Sequence, residues 1–180
     1  MRTVAGRRLR TVTAAAVLGA GGVIAVGGAA QPASGTQAQP DACVLFTRKE
    51  ATRVLGKAAR RETRIQGAQG SECSYTAKKD AKRVVGVAVG QFASPDEASK
   101  AYTSARANAQ FDGLKIENVR RLGRRAHWLP RTNNFERTVL GEQLAIGELT
   151  VLEGRRVYTA YVAPPSKRNA RETINLVTAD

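Results

Sequence analysis

The sequence predicts an α+β fold, in which an antiparallel β-sheet carries helices packed mainly on one face and is stapled by one disulfide. Three observations predict this fold. Helix-capping patterns introduce three amphipathic segments, alternating apolar residues between them indicate strands, and the chain contains one pair of cysteines. Neither an internal repeat nor a second linker interrupts residues 42–180, so we expect a single domain there.

The first helix is predicted by a capping box. Thr47 can accept a hydrogen bond from the first turn of a helix, and Glu50 can reach back to the backbone of Thr47. Gly56 is a typical residue for the C-terminal stop. We therefore expect a short helix that packs on a sheet through an apolar stripe of Ala51, Val54 and Leu55.

Two strands are expected after this helix. Residues 72–76 (ECSYT) predict a short strand, and residues 83–92 (RVVGVAVGQF) predict a longer one. In the longer strand, valines alternate with Gly86, Ala88 and Gly90, so one face is β-branched and the other is nearly flat. A flat face permits the close approach of a helix.

The clearest helix start in the chain is residues 94–97 (SPDE). This segment combines an N-cap serine, a first-turn proline and a capping-box glutamate. We expect the helix that follows to pack on the flat face of the strand at residues 83–92. The packing would use a stripe of small residues and one tyrosine at helical spacing: Ala98, Ala101, Tyr102, Ala105 and Ala109.

The sheet is expected to continue with a third strand at residues 114–119. Residues 120–136 are polar and are predicted to be irregular. Residues 142–152 and 156–162 then alternate around a Glu-Gly turn and predict a hairpin. A final helix is expected to begin near Ser166, with inward positions at Ala170, Ile174 and Val177.

Two tyrosines in the second strand of this hairpin are candidates for a ligand groove. Tyr158 and Tyr161 are three positions apart, so they lie on opposite faces of a strand. At most one of them can therefore point outward and line a groove.

Residues 1–30 have the layout of a secretory signal peptide. Four arginines precede an uncharged apolar run that ends with small residues at Ala30, and no acidic residue occurs before Asp41. We expect cleavage near Ala30, which would place the protein outside the cell or in the cell wall. The alternative is a leader retained as an N-terminal membrane anchor, although its glycines weaken it as a span. Residues 31–41 are predicted to be a flexible linker.

The chain is strongly basic, with a formal net charge of +14. Loss of the leader with its four arginines would leave +10 on the exported part. Arginines outnumber lysines 21 to 8, a bias typical of the GC-rich genomes of actinobacteria. A positive balance of this size favours anionic partners.

Cys43 and Cys73 are the only cysteines. In an exported chain an isolated pair predicts one disulfide, and closing a loop of this size contributes about 3 kcal/mol in the chain-entropy model. A metal site is the alternative, but two cysteines and one histidine form a poor ligand set. We expect neither a metal nor a cofactor.

Catalytic motifs are missing from the sequence. His127 is the single histidine, so any serine or cysteine nucleophile would have to use it as the base. No G-x-S-x-G, P-loop or H-E-x-x-H pattern is present. A hydrolase using His127 or a pair of carboxylates stays open as an alternative, whereas the plainer interpretation places His127 in a half-buried loop.

A basic stretch is the more specific candidate for a binding site. Five arginines with an interleaved histidine and tryptophan can bind phosphates or an acidic polymer. An anionic envelope polymer, a lipid head group or an envelope protein would be the partner, since no nucleic-acid-binding fold motif is present. The alternative is a solvated positive face that only aids solubility. The candidate residues are Arg120, Arg121, Arg124, Arg125, His127, Trp128 and Arg131.

Short motifs resemble a group of actinobacterial cell-envelope proteins of unknown function. The similar segments are residues 43–56 (CVLFTRKEATRVLG), residues 73–75 (CSY) and residues 122–128 (LGRRAHW). The resemblance implies an α+β fold with a cysteine pair, extracytoplasmic placement and a ligand-binding or accessory role. Many members are lipoproteins, but Cys43 lies well beyond the apolar run and is a poor lipidation site. A fainter resemblance is to the extracellular sensor domains of actinobacterial kinases.

These observations favour an exported, non-enzymatic binding or accessory protein that is secreted or associated with the cell envelope. An extracellular hydrolase and a sensor-like ligand-binding domain are the alternatives.

Overall fold

The computed structural model describes residues 38–179, apart from residues 69, 133–137, 140 and 141. The predicted leader and most of the predicted linker lie outside the described residues. Contacts with the domain begin at Gln39, whose side-chain amide donates to the carbonyl of Gln91 (3.0 Å) and accepts from its N–H (2.9 Å). The described contacts therefore begin inside the stretch predicted as linker.

Four helices and nine strands make up the described part of the chain. The helices are α1 Ala42–Leu45, α2 Arg48–Leu55, α3 Pro95–Phe111 and α4 Lys167–Val177. The strands are β1 Ala59–Gly67, β2 Gly70–Ala77, β3 Asp80–Gln91, β4 Glu117–Asn118, β5 Arg125–Thr132, β6 Thr138–Val139, β7 Glu142–Gln143, β8 Ile146–Glu153 and β9 Arg156–Ala163.

Seven of these strands form one antiparallel sheet in the order β1-β2-β3-β9-β8-β5-β4, and β6 pairs with β7 in a separate ribbon. The predicted α+β class with an antiparallel sheet is confirmed. The predicted disulfide is present as well, since the sulfurs of Cys43 and Cys73 are 1.99 Å apart. It connects α1 to β2.

Three of the four helices cover one face of the sheet, which we call the α4 face. Side chains of α1, α2 and α4 form the main core with alternate residues of the central strands, such as Val87, Leu149 and Ala160. Helix α3 packs on the opposite face, the α3 face, where Ala98 and Tyr102 contact Leu152 and Val157. The prediction of helices mainly on one face is thus confirmed, with α3 as the exception.

Local signals explain why the helices form where they were expected. Thr47 and Glu50 complete the capping box of α2, and Gly56 ends that helix at φ +65°. Ser94 caps α3 and Ser166 caps α4. The inward positions predicted for α4 are buried, as are Ala51, Val54 and Leu55 of α2.

The prediction of an irregular segment at residues 120–136 is wrong, because β5 occupies Arg125–Thr132. Ala126 and Trp128 are buried on the α4 face, while His127 and Leu129 are buried on the other. A strand buried on both faces shows no alternation of polar and apolar residues, so its sequence pattern is hidden. In addition, the strand expected at 114–119 is shortened to β4.

The flat face of β3 receives a tyrosine and not the helix that was expected there. A Cβ added at Gly86 would lie 2.2 Å from the ring of Tyr161, so the ring crosses β3 directly over this glycine. The Tyr161 hydroxyl then donates to the carboxylate of Glu72 on β2, at 2.5 Å. Helix α3 instead packs on β8 and β9. Tyr158 and Tyr161 lie on opposite faces as expected, but both are buried.

Candidate functional site

The two aromatic members of the predicted basic cluster do not share a surface. His127 and Trp128 are neighbours in β5, so their side chains point to opposite faces of the sheet. His127 is 1% exposed and Trp128 is 4% exposed. No cleft can therefore use both of them as lining residues.

Trp128 belongs to the core on the α4 face. A Cβ added at Gly147 would lie 2.3 Å from Cη2 of the indole and 3.1 Å from Cβ of Pro165. The ring therefore packs directly against the backbone of β8, and only a glycine at position 147 leaves room for it. This packing indicates a structural role for Trp128.

His127 lies beneath α3 on the other face. Its ring contacts the Tyr102 ring edge to face, with centroids 5.0 Å apart, and its Nδ1 has no hydrogen-bond partner among the described residues. Burial, with a smaller contribution from the charge of Arg106, lowers the pKa of His127 to about 4. Within the described part of the chain, Nδ1 therefore lacks the carboxylate that orients the histidine of a catalytic triad.

This buried histidine predicts a specific loss of stability in acid. The unfolded chain has a histidine pKa of about 6.5, so between pH 6.5 and pH 4 it binds a proton that the folded protein does not bind. The free energy of unfolding should therefore fall by up to about 3 kcal/mol over this window as the pH is lowered, and this contribution should not change further below pH 4. Urea unfolding at pH 7, 5.5 and 4 measures it.

The control is His127→Phe, which keeps an aromatic ring against Tyr102 but does not titrate. The difference between wild type and variant isolates His127 from the carboxylates that protonate in the same range. Parallel pH profiles for the two proteins would contradict the prediction.

The arginines of the predicted cluster are divided as well. Arg125 lies on the α3 side, where its guanidinium donates to Ser99 and stands 5.2 Å from the centre of the Tyr102 ring. Arg124 is exposed immediately before β5, and Arg131 lies in that strand with its side chain outside the described part of the structure. The remaining two, Arg120 and Arg121, are exposed on the loop between β4 and β5.

This loop meets basic residues of α4 that the sequence analysis did not single out. The guanidinium of Arg171 donates to the carbonyl of Arg121 at 3.2 Å, so the helix and the loop are in direct contact. Lys167, Arg168 and Arg171 are exposed and occupy the outer side of the first turns of α4, opposite its buried stripe. We call the combined region the basic surface; its members are Arg120, Arg121, Lys167, Arg168 and Arg171.

A shallow pocket of about 440 Å³ lies within the basic surface. Val119 and Leu149 provide its apolar part, and Lys167, Arg168 and Arg171 provide its cationic wall. Glu172 and Asn175 complete the lining. Such a site combines a small apolar patch with several hydrogen-bond donors of positive charge, which suits an anionic group attached to an apolar or neutral part.

Both carboxylates near this pocket already have cationic partners. Glu117 accepts from Lys167 at 2.8 Å and lies 3.6 Å from Nζ of Lys115, and the hydrogen bond from Lys167 is the main reason that its pKa is lowered. Glu172 pairs with Arg53 at 3.0 Å. Among the described residues, no carboxylate lies within ion-pair distance of Arg120, Arg121 or Arg168, so these charges are available to an external anion.

The α3 face carries a second polar feature, formed by Glu148 on β8 and Glu72 on β2. The carboxylate of Glu148 accepts from Thr150 at 3.2 Å, and burial raises the pKa of Glu148. Glu72, the partner of Tyr161, is three strands away in the sheet order. At about 4.8 Å per strand, the backbones of the two glutamates are at least about 14 Å apart.

Neither a metal-binding cluster nor a helix that could span a membrane occurs among the described residues. No group of three or more His, Cys, Asp or Glu side chains there is arranged to hold a metal ion. No described helix is long and apolar enough to cross a membrane.

The fold and the site together define a basic, disulfide-containing α+β domain with a cationic pocket beside an edge strand. Comparison with known proteins adds no relative: no family model matches the chain, and no curated protein matches it.

Proposed function

We propose that the protein is an exported, non-enzymatic binding protein of the cell envelope, and that its basic surface binds an anionic envelope component. The observation that carries this proposal is the hydrogen bond from Arg171 to the carbonyl of Arg121, which brings the loop with two exposed arginines beside a pocket lined by three cations of α4. The signal-like layout of residues 1–30 supports export. Outside a bacterium, anionic polymers and lipid head groups are abundant, so they are the partners that a basic surface would meet.

Charge and exposure support binding at this place. The acidic groups beside the pocket are paired with Lys115, Lys167 and Arg53, while Arg120, Arg121 and Arg168 have no acidic partner among the described residues. A hydrolytic function is less well supported, since His127 is buried and held neutral beneath α3.

Co-sedimentation with washed envelopes of the producing organism tests the proposal. The protein would be recovered from the cells in its exported form, with intact mass locating its N-terminus. The variant Arg120→Glu/Arg168→Glu reverses two charges of the basic surface. Each cation beside an anionic surface contributes about 1 kcal/mol, so we expect binding at low salt to weaken by about thirtyfold or more.

The matched control is Lys78→Glu/Lys79→Glu, which changes the net charge by the same amount. Both lysines are exposed in the turn between β2 and β3, and β3 is four positions from β4 in the sheet order. We expect this control to bind almost as well as wild type, and high salt to weaken all three proteins. Equal losses in the two variants would mean that the attraction is generic, and would overturn the proposal.

A further inference from the structure

Phe111, the last residue of α3, is 93% exposed. The helix ends in a turn in which the N–H of Leu114 bonds to the carbonyl of Ala109 at 3.0 Å, and Gly113 adopts φ +70°. This turn leaves the phenyl ring outside every apolar cluster of the described residues. Removing the apolar surface of a phenylalanine side chain from water is favourable, so its exposure here carries a free-energy cost.

A single exposed apolar residue is common on soluble proteins, so its surroundings decide whether it has a role. Residues 112–116 lead from Phe111 directly to β4, the edge strand beside the basic surface. Lys115 in this segment and Lys167 of α4 both contact the carboxylate of Glu117, at 3.6 and 2.8 Å. On the α3 side, Arg106 donates to Asn118 of β4 at 2.7 Å. The end of α3 that carries the phenyl ring and the first turn of α4 therefore flank the same edge strand from opposite faces of the sheet.

We infer that the anionic partner is a lipid bilayer, and that Phe111 inserts into its interfacial region while the basic surface contacts the anionic head groups. This inference rests on the proposed function and names its ligand. A phosphate-rich polymer needs only the cations, whereas a bilayer offers both negative charge and an apolar layer just beneath it. Lysine and arginine side chains suit such a surface, because their stems are apolar while their charged ends stay among the head groups.

The test places a fluorescent reporter at the inserting position. Phe111→Trp adds an indole at the exposed site, and its emission is read as the difference from wild type, whose Trp128 is buried. We expect a blue shift with vesicles of phosphatidylglycerol, and quenching when their acyl chains carry bromine. Vesicles of phosphatidylcholine should produce neither effect, because they do not attract the basic surface.

Val44→Trp is the matched control. Val44 is 71% exposed on α1, which contacts β2 and β3 and not the β4 edge. An indole there should show no shift with either vesicle. The control also separates local insertion at position 111 from vesicle binding by any other part of the chain, including the leader.

Binding measurements then separate this inference from the proposed function. Phe111→Ala should weaken binding to phosphatidylglycerol vesicles about tenfold or more, because the apolar contribution is lost while the charges remain. Vesicle binding that depends on Arg120 and Arg168 but leaves the indole at 111 unshifted would overturn the insertion and keep the proposed function. Binding to envelopes without binding to vesicles would overturn the bilayer and indicate a polymer. A failure of both would overturn both.

Discussion

Replacement of Trp128 by alanine is expected to lower the free energy of unfolding by about 4 kcal/mol, the typical result for a large aromatic residue removed from a core. The indole is 4% exposed and fits against Gly147 and Pro165. The glycine backbone of β8 cannot move to fill the volume that the ring leaves, because β8 is paired on both sides, with β5 and β9. The loss would be a large part of the stability of a typical domain.

Urea unfolding followed by far-ultraviolet circular dichroism measures this loss, since the variant has no tryptophan to report by fluorescence. The matched control is Arg124→Ala, an exposed member of the same predicted cluster, for which we expect a change within about 0.5 kcal/mol. A Trp128→Ala protein with wild-type stability but without envelope binding would restore the interpretation of Trp128 as a binding residue.

The helices could be predicted from the sequence because their determinants are local. A capping box, a first-turn proline and a glycine stop all act within a few residues, so α2 and α3 could be predicted without knowledge of the rest of the chain. The β8–β9 hairpin could be predicted for the same reason, since Glu153 and Gly154 join two strands that pair with each other.

The strands β1 and β5 could not be predicted in this way. Strand β1 is an edge strand of largely charged and polar residues (ARRETRIQG), and its state depends on pairing with β2. Strand β5 is buried on both faces, so its alternation is not visible in the residue types. Residue propensity and polar–apolar alternation predict strands that have one buried face and one solvent-exposed face. Neither β1 nor β5 is a strand of this kind.

The candidate site illustrates the difference between nearness in sequence and nearness in space. Consecutive residues of a strand point to opposite faces, so the cluster at 120–131 is divided among the core, the α3 side and the loop before β5. The cations that do meet Arg120 and Arg121 come from α4 at the far end of the chain. The periodicity of α4 predicts that these cations point outward. Their contact with the loop depends on the order of the strands in the sheet, which the sequence pattern does not give.

Removal of the disulfide by the double change Cys43→Ala/Cys73→Ala is expected to lower the free energy of unfolding by about 3 to 4 kcal/mol. The bridge closes a loop with a sequence separation of 30, which restricts the unfolded chain. In the folded protein it holds α1 against β2, and a helix of four residues has little stability of its own. Cys73 is fully buried, so alanine is preferred to serine because a buried hydroxyl would add a separate cost.

Denaturant unfolding of the two proteins, each with and without dithiothreitol, measures this contribution. Reduction should bring the wild type down to the stability of the variant and leave the variant unchanged, because the variant has no bridge to lose. Hydrogen exchange should show the amides of α1 exchanging faster in the variant, while those of β8, three positions from β2 in the sheet order, follow the global change. Equal stability of wild type and variant under oxidising conditions would mean that the packing of Phe46 and Tyr75, whose rings meet edge to face at 5.7 Å, holds α1 to β2 without the bridge.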